Sequence, residues 1–337
     1  MKERNYTVDL FKYICAIAVI AIHTAPFSAI NERLNFFIVQ ILARLAVPFF
    51  AVCSGYFALG RLGDENISST EARNVFLQQW KKLIFIYAVW TLLYLLFSIP
   101  RWIEIGWFSA WAFVDFGIAA VRSESHYHLW YFLSLIYAWP LFYFCIRKIK
   151  RSYWIPISMV LYLVEAVKYC YKMFLPEMVS KALSVLSIWN GLTTGLILLL
   201  PFLLMGAYVY GEKEKSRKYA WCGFIISFLL LSLEVVVLHY HGQNNVSYVL
   251  MTYPVAYFFF MMVIGAKQPS RTELCKELGV ASTFIYCFHP MLVESLERID
   301  SISPMVRFIV TAIVSTILGI IINRILKPIL RRRRCFH

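Results

Sequence analysis

The chain has 337 residues, of which 60% are hydrophobic, 17% aromatic and only 15% charged, with a mean hydropathy of +0.65. A soluble domain of this size needs more surface charge, so the composition excludes one and points to an integral membrane protein. The net charge of +14 does not indicate a nucleic-acid partner, because the cations sit in short clusters between apolar runs, as loops at a membrane surface require.

Met1 to Tyr6 is short and charged, so the apolar run after it reads as a retained first span rather than a cleaved leader. Runs of about 20 apolar residues place ten expected spans at 7–27, 36–58, 81–99, 129–146, 153–171, 192–210, 219–239, 246–265, 280–297 and 304–326. The stretch 101–121 is rich in Trp and Phe but carries Arg101, Glu104 and Asp115, and reads as an interfacial helix or re-entrant loop. No linker or repeat divides the chain. The expected fold is all-α: one polytopic membrane domain over 1–337 with about ten transmembrane helices.

Lys and Arg in alternate loops number 23 on one side and 6 on the other. The richer side holds both termini and includes Lys213, Lys215, Arg217 and Lys218, so both termini are expected in the cytoplasm of a plasma-membrane protein. The basic tail 327–337, with Arg331 to Arg334, reads as an anchor on anionic lipid.

This topology assigns depths to the polar residues. Lys12 and His23 are eleven residues apart in the first span, which is about three turns or about 16 Å along nearly one helix face. Lys12 is expected at the cytoplasmic mouth, where it either meets an anionic ligand or snorkels to the surface. His23 falls in the outer half, and Arg44, about eight residues into the inward-running second span, reaches a similar depth. Ionisable groups there are expensive and mark functional sites, although a carboxylate tying Arg44 to another helix is the alternative.

Further along, His128 and Trp130 stand in HLWYF at the outer start of the fourth span, with Trp130 and Tyr131 also readable as an interfacial aromatic belt. Glu165 and Lys168 are three residues apart in the fifth span and can pair along one helix face. His289 lies near mid-membrane in the ninth, between Tyr286 and Glu294; Pro290 after it frees a backbone carbonyl one turn earlier. His289 is expected either to bind substrate or to hold its helix through a carbonyl.

The Ser54-Gly55 pair reads as a close helix crossing rather than a nucleophile. The repeated His-Tyr-His at 126–128 and 239–241 has its imidazoles on alternate residues, which point apart on a helix, so no metal is expected. Eight scattered cysteines, Cys335 among them, form no CxxC pair and read as small core residues. Asn5, Asn66 and Asn245 each open a glycosylation triplet, a pattern too common by chance to carry weight.

Taken in order, the Lys12–His23 spacing, RLAVPFFAVCSGYF (Arg44 to Phe57), HLWYF (His128 to Phe132) and YCFHP (Tyr286 to Pro290) resemble the acyltransferase 3 family of bacterial membrane O-acyltransferases. The likeness extends over nearly the whole chain, and the family's usual Tyr-Leu-His-Pro run is replaced here by Tyr286, Cys287, Phe288, His289 and Pro290. The resemblance implies an acyl-CoA donor, acetyl-CoA in the simplest case, and an acceptor hydroxyl on a cell-surface glycan or similar molecule. It implies a catalytic role for His23, an essential arginine at Arg44 and a supporting histidine at His289, the three expected catalytic residues; Lys12, His128, Trp130, Tyr286 and Glu294 are the residues expected to bind substrate or cofactor. Two stretches, HLWYF and VPFF…SGYF, are also similar to the membrane domain of the vancomycin-resistance serine racemases, which is thought to supply serine. That likeness implies a transporter of serine or another small polar solute as the competing function. The racemase domain of those proteins would follow the last span, and this chain stops at His337, so racemisation is not expected of it.

Overall fold

The structure, a computed structural model, describes residues 4–62, 68–122, 124–185, 189–212, 219–243 and 246–334, with side chains to residue 325. The loop cations Lys213, Lys215, Arg217 and Lys218, the triplet asparagines Asn66 and Asn245, Cys335 and the side chains of Arg331 to Arg334 lie outside the described residues.

Among the described residues the chain is helical and has no strand. In order the helices are α1 (Tyr6–Thr24), α2 (Glu32–Phe36), α3 (Ala46–Leu62), α4 (Ser69–Glu104), α5 (Ala110–Arg122), α6 (Trp130–Lys148) and α7 (Trp154–Cys170). There follow α8 (Glu177–Val185), α9 (Asn190–Thr194), α10 (Leu200–Tyr210), α11 (Ala220–Tyr240), α12 (Thr252–Gly265), α13 (Thr272–Glu297) and α14 (Pro304–Arg334). Among the described residues, six stretches are long and apolar enough to cross a membrane: Tyr6–Thr24, Glu32–Leu62, Ser69–Glu104, Asn190–Tyr210, Ala220–Tyr240 and Pro304–Ile325. The protein is therefore an integral membrane protein. The other four expected spans fall on α6, α7, α12 and α13.

Two expectations change in detail. Residues 101–104 complete α4, which continues through Pro100; Gly106 then turns the chain with φ of 70°, and only Ala110–Arg122 forms a separate helix. The expected span 246–265 is helical only from Thr252. Its first residues are irregular yet buried at Val246 and Val249, and the Val249 carbonyl accepts from the Tyr162 hydroxyl at 2.8 Å. Buried backbone away from water must find such a partner.

Contacts divide the chain into two compact units. Unit 1 contains Ala51–Ser216 and Val236–Tyr257. Helices in lipid gain little from apolar burial against one another, so close approach through small residues carries the packing. Gly55 of α3 lies against the Leu203 carbonyl of α10, and Gly206 of α10 lies against the Val52 carbonyl of α3; a Cβ at either position would collide with backbone. The Ser54-Gly55 pair is thus a helix crossing, as its residue types imply. Gly195 makes the same kind of approach to the Ser134 carbonyl of α6.

Unit 2 contains Glu3–Phe50, Arg217–Val235 and Phe258–His337, and is organised around α1, α13 and α14. Asn5 caps α1 by accepting from the Val8 amide, and Ala25, in the left-handed region at φ of 45°, closes it just before Pro26. Along the α1–α13 seam, Ala16 and Ile20 pack with Ala281 and Ile285, all at most 1% exposed. Each pair is spaced i, i+4, the ridge that meets a neighbouring helix. Gly319 of α14 faces Ala281 across the second seam, and the hydroxyls of Tyr13 and Thr316 share a hydrogen bond of 3.3 Å.

Candidate functional site

The α13 ridge of Ala281 and Ile285 continues, four residues on, to His289, which is fully buried. In an α-helix each amide bonds the carbonyl four residues back, but Pro290 has no amide hydrogen, so the Tyr286 carbonyl loses its intrahelical donor. His289 fills that vacancy: its Nδ1 lies 2.8 Å from the Tyr286 oxygen and 3.1 Å from the Ile285 oxygen. A carbonyl only accepts, so Nδ1 carries the proton, and in the neutral ring Nε2 is the basic nitrogen. Of the two readings made of His289 in the sequence, the structure shows the one in which it holds its helix through a carbonyl, and that contact orients the ring. Replacing Pro290 with Ala restores an amide that competes for the Tyr286 carbonyl. The expected result is a mixture of His289 tautomers by nitrogen NMR, where the wild type shows one.

The facing α1 ridge of Ala16 and Ile20 continues to His23, in the last turn of the helix. The two imidazoles consequently meet at the end of one seam, with centroids 5.3 Å apart and planes inclined by 34°. Tyr286 lies edge-on to His289 at 6.2 Å, and Phe50 lies edge-on to Tyr286 at 6.2 Å, giving the pair an aromatic flank.

Arg44 sits in a short 3-10 turn, Ala43–Leu45, directly after a π-helical stretch, Phe37–Leu42, and this irregular segment packs against α1. Such π insertions are frequent at functional sites because they re-aim side chains. Gln40 accepts from Arg44 Nε at 3.3 Å and from Nη2 at 3.2 Å. This bond orients the guanidinium. Gln40 escaped the sequence reading, although its i, i+4 relation to Arg44 was available as a signal.

At the other end of α1, Lys12 Nζ lies 3.7 Å from Asp9 Oδ1. Glu294 is half-buried on α13, beyond His289. The structure thus brings His23, His289 and Tyr286 together, sets Arg44 on the segment packed on α1, and gives Lys12 an acidic partner.

His128 and Trp130 belong to unit 1. His126 and His128 fall in a turn before α6 rather than on a helix, so their side chains converge instead of pointing apart: the two Nδ1 atoms are 3.3 Å apart, and both rings pack on Tyr94. Trp130 is half-buried at the start of α6, but Tyr131 is buried and its hydroxyl shares a hydrogen bond with Ser54, which removes Tyr131 from an aromatic belt. Burial pushes the Glu124 carboxyl, in the same turn region, above the ordinary carboxylate range. Glu165 and Lys168 form the expected pair at 3.1 Å, both buried, with Lys168 also 4.7 Å above the Tyr169 ring. Among the described residues no group of three His, Cys, Asp or Glu gathers to hold a metal ion.

Comparison with known proteins adds the following. An amino-acid racemase of Enterococcus faecalis is 24% identical over 97% of this chain and 46% of its own length. A second racemase of that organism is 26% identical over 91% of this chain and 43% of its own length. A serine/alanine racemase of Enterococcus gallinarum is 26% identical over 85% of this chain and 40% of its own length. The chain thus spans less than half the length of these curated relatives. No solved structure matches. The family described as an acyltransferase domain matches residues 5–324, nearly the whole chain. With the Lys12–His23 helix, Arg44 and the His289-Pro290 pair all inside that match, the chain belongs to the acyltransferase 3 family.

Proposed function

We propose that the protein is a membrane-embedded O-acyltransferase that moves an acyl group, acetyl in the simplest case, from acyl-CoA to a hydroxyl of a cell-surface glycan or similar acceptor. It sits in the plasma membrane with ten spans and both termini in the cytoplasm, its basic tail on anionic lipid. The observation that carries the reading is the meeting of His23 and His289 at the end of the α1–α13 seam, with Nδ1 of His289 committed to a backbone carbonyl.

Acyl transfer to an alcohol needs a base for the hydroxyl proton, a positive group for the charge that develops on the acyl oxygen, and exclusion of water. His23 takes the hydroxyl proton as the acceptor oxygen bonds to the acyl carbon. His289, presenting Nε2, orients that hydroxyl. Arg44, aimed by Gln40, stabilises the negative acyl oxygen. As the carbon–sulfur bond breaks, His23 returns its proton to the departing thiolate, so the enzyme ends unchanged. The donor's contribution is an activated thioester carbonyl; everything else is supplied by the chain.

A second reading is passage of serine or another small polar solute; one relative is named a serine/alanine racemase, an enzyme of such a solute. Purified protein in liposomes separates the two. Release of free CoA from acetyl-CoA, raised by a hydroxyl acceptor and lost in His23→Ala, supports transfer. Counterflow of labelled serine with no CoA release overturns it.

A further inference from the structure

α14 carries two buried polar groups that the chemistry above does not use. Thr311 is fully buried, and its Oγ1 has no hydrogen-bond partner among the described residues. Nε of Arg307, one turn earlier, is buried and likewise has no partner among them. Buried polar atoms nearly always find a partner, so each of these needs an explanation. A serine or threonine in a helix commonly donates to the carbonyl four residues back. The next hydroxyls along α14 do so: Ser315 Oγ donates to the Thr311 carbonyl and Thr316 Oγ1 to the Ala312 carbonyl, both at 2.6 Å. Thr311 does not, and its i, i+4 spacing sets it beside Arg307 on one helix face.

That face meets the catalytic seam. Thr311, Ser315 and Gly319 form a buried stripe on α14, and a Cβ on Gly319 would lie 3.2 Å from that of Ala281 on α13. The two helices run antiparallel, with Arg324 bonded to Glu277 at one end and Arg307 to Glu297 at the other. His289 is midway between Ala281 and Glu297, so its counterpart on α14, midway between Gly319 and Arg307, is Ile313. On the other flank Tyr13 of α1 bonds Thr316, and His23 is as far along α1 from Tyr13 as Val306 is back along α14 from Thr316. The level of the two imidazoles therefore falls between Val306 and Ile313, the stretch that holds Arg307 and Thr311.

The two groups define a ligand chemistry. Arg307 Nη1 donates to Glu297 at 2.9 Å, so a carboxylate already balances the guanidinium while Nε is left to donate. The Thr311 hydroxyl can donate or accept. Together they suit two neutral oxygens on adjacent carbons, one accepting from Nε and the other exchanging a hydrogen bond with Oγ1. A phosphate or carboxylate would have to compete with Glu297 for the same cation. We infer that Arg307 and Thr311 bind the acceptor at the acyl-transfer site, and that Glu297 restricts that acceptor to an uncharged vicinal diol such as a neutral sugar ring. The inference rests on the acyl-transfer reading above. These contacts are made to oxygens that do not react, so they are the same in ground and transition states. Their loss raises the acceptor's KM and leaves kcat and the donor's KM in place.

The test uses the full chain in phosphatidylcholine nanodiscs, which contain no lipid diol. Acetyl-CoA binding is measured by calorimetry. Acceptor-dependent CoA release is measured with methyl glucoside and with its anionic counterpart, methyl glucuronide, for wild type, Thr311→Val, Thr311→Ser, Arg307→Lys and Glu297→Gln. Wild type should favour methyl glucoside in kcat/KM. Thr311→Val keeps the side chain's shape without its hydroxyl, and Arg307→Lys keeps a cation for Glu297 without Nε; each should raise the methyl glucoside KM by about tenfold, the scale of one lost contact. Thr311→Ser should stay near wild type. Glu297→Gln leaves Arg307 unbalanced and should shift the kcat/KM ratio toward methyl glucuronide by about tenfold. An unchanged acceptor KM in Thr311→Val and Arg307→Lys overturns the inference and assigns both groups to helix packing, whatever the melting temperatures. A wild type that prefers the glucuronide, or that binds acetyl-CoA and responds to neither sugar, also overturns it while leaving the donor reading intact. A folded wild type that binds no acetyl-CoA refutes the acyl-transfer reading, and this assignment with it.

Discussion

Replacing His23 with Ala is expected to lower kcat for acyl transfer by about 10³-fold, within the range of about 10² to 10⁴ that a positioned general base contributes. The measurement is acceptor-dependent release of CoA from acetyl-CoA by purified protein in liposomes. The effect is large because no other group on α1 can replace the imidazole: the helix ends two residues later at Ala25, and the ridge behind His23 is the apolar pair Ala16 and Ile20. The substitution removes a half-buried side chain from the end of a seam, so helix packing below it should survive. A His23→Ala protein that is folded and turns over at the wild-type rate contradicts the assignment.

Arg44→Lys is expected to cost about 10²-fold in kcat, the lower end of what one donor to a developing oxyanion is worth. Lysine keeps the charge but cannot reproduce the fork that Gln40 holds through both Nε and Nη2. Gln40→Ala should lower turnover less, because the guanidinium remains but is no longer aimed. If Arg44 only ties helices together, Arg44→Lys changes the melting temperature and leaves kcat alone. Normal turnover with Lys at this position removes the bidentate role.

Much of this site could be read from residue spacing because depth in a membrane follows from counting. Lys12, His23 and Arg44 stood out as charges in apolar runs, and Pro290 announced a vacant carbonyl without saying which side chain would take it. Glu165 and Lys168 were recognisable as a pair because i, i+3 residues share a helix face. Other features left no periodic trace. A π insertion such as Phe37–Leu42 shifts hydrogen bonds by one residue while the hydropathy stays apolar throughout, so the aim of Arg44 could not be inferred. The close approach of Gly279 to Asp9 joins residues distant in sequence, which no spacing announces. His126 and His128 were treated as helical neighbours pointing apart, whereas they occupy a turn, where alternate side chains can meet. Likewise, hydropathy could not distinguish the buried irregular segment before Thr252 from a full span, since both are apolar.

The central claim is that His23 and His289 act as one catalytic unit, and a double-mutant cycle on kcat tests it most directly. Residues that act as a unit show grossly non-additive losses. The paired mechanism predicts that His23→Ala with His289→Ala is no slower than the worse of the two single variants. Losses that multiply, as for independent sites, would contradict it.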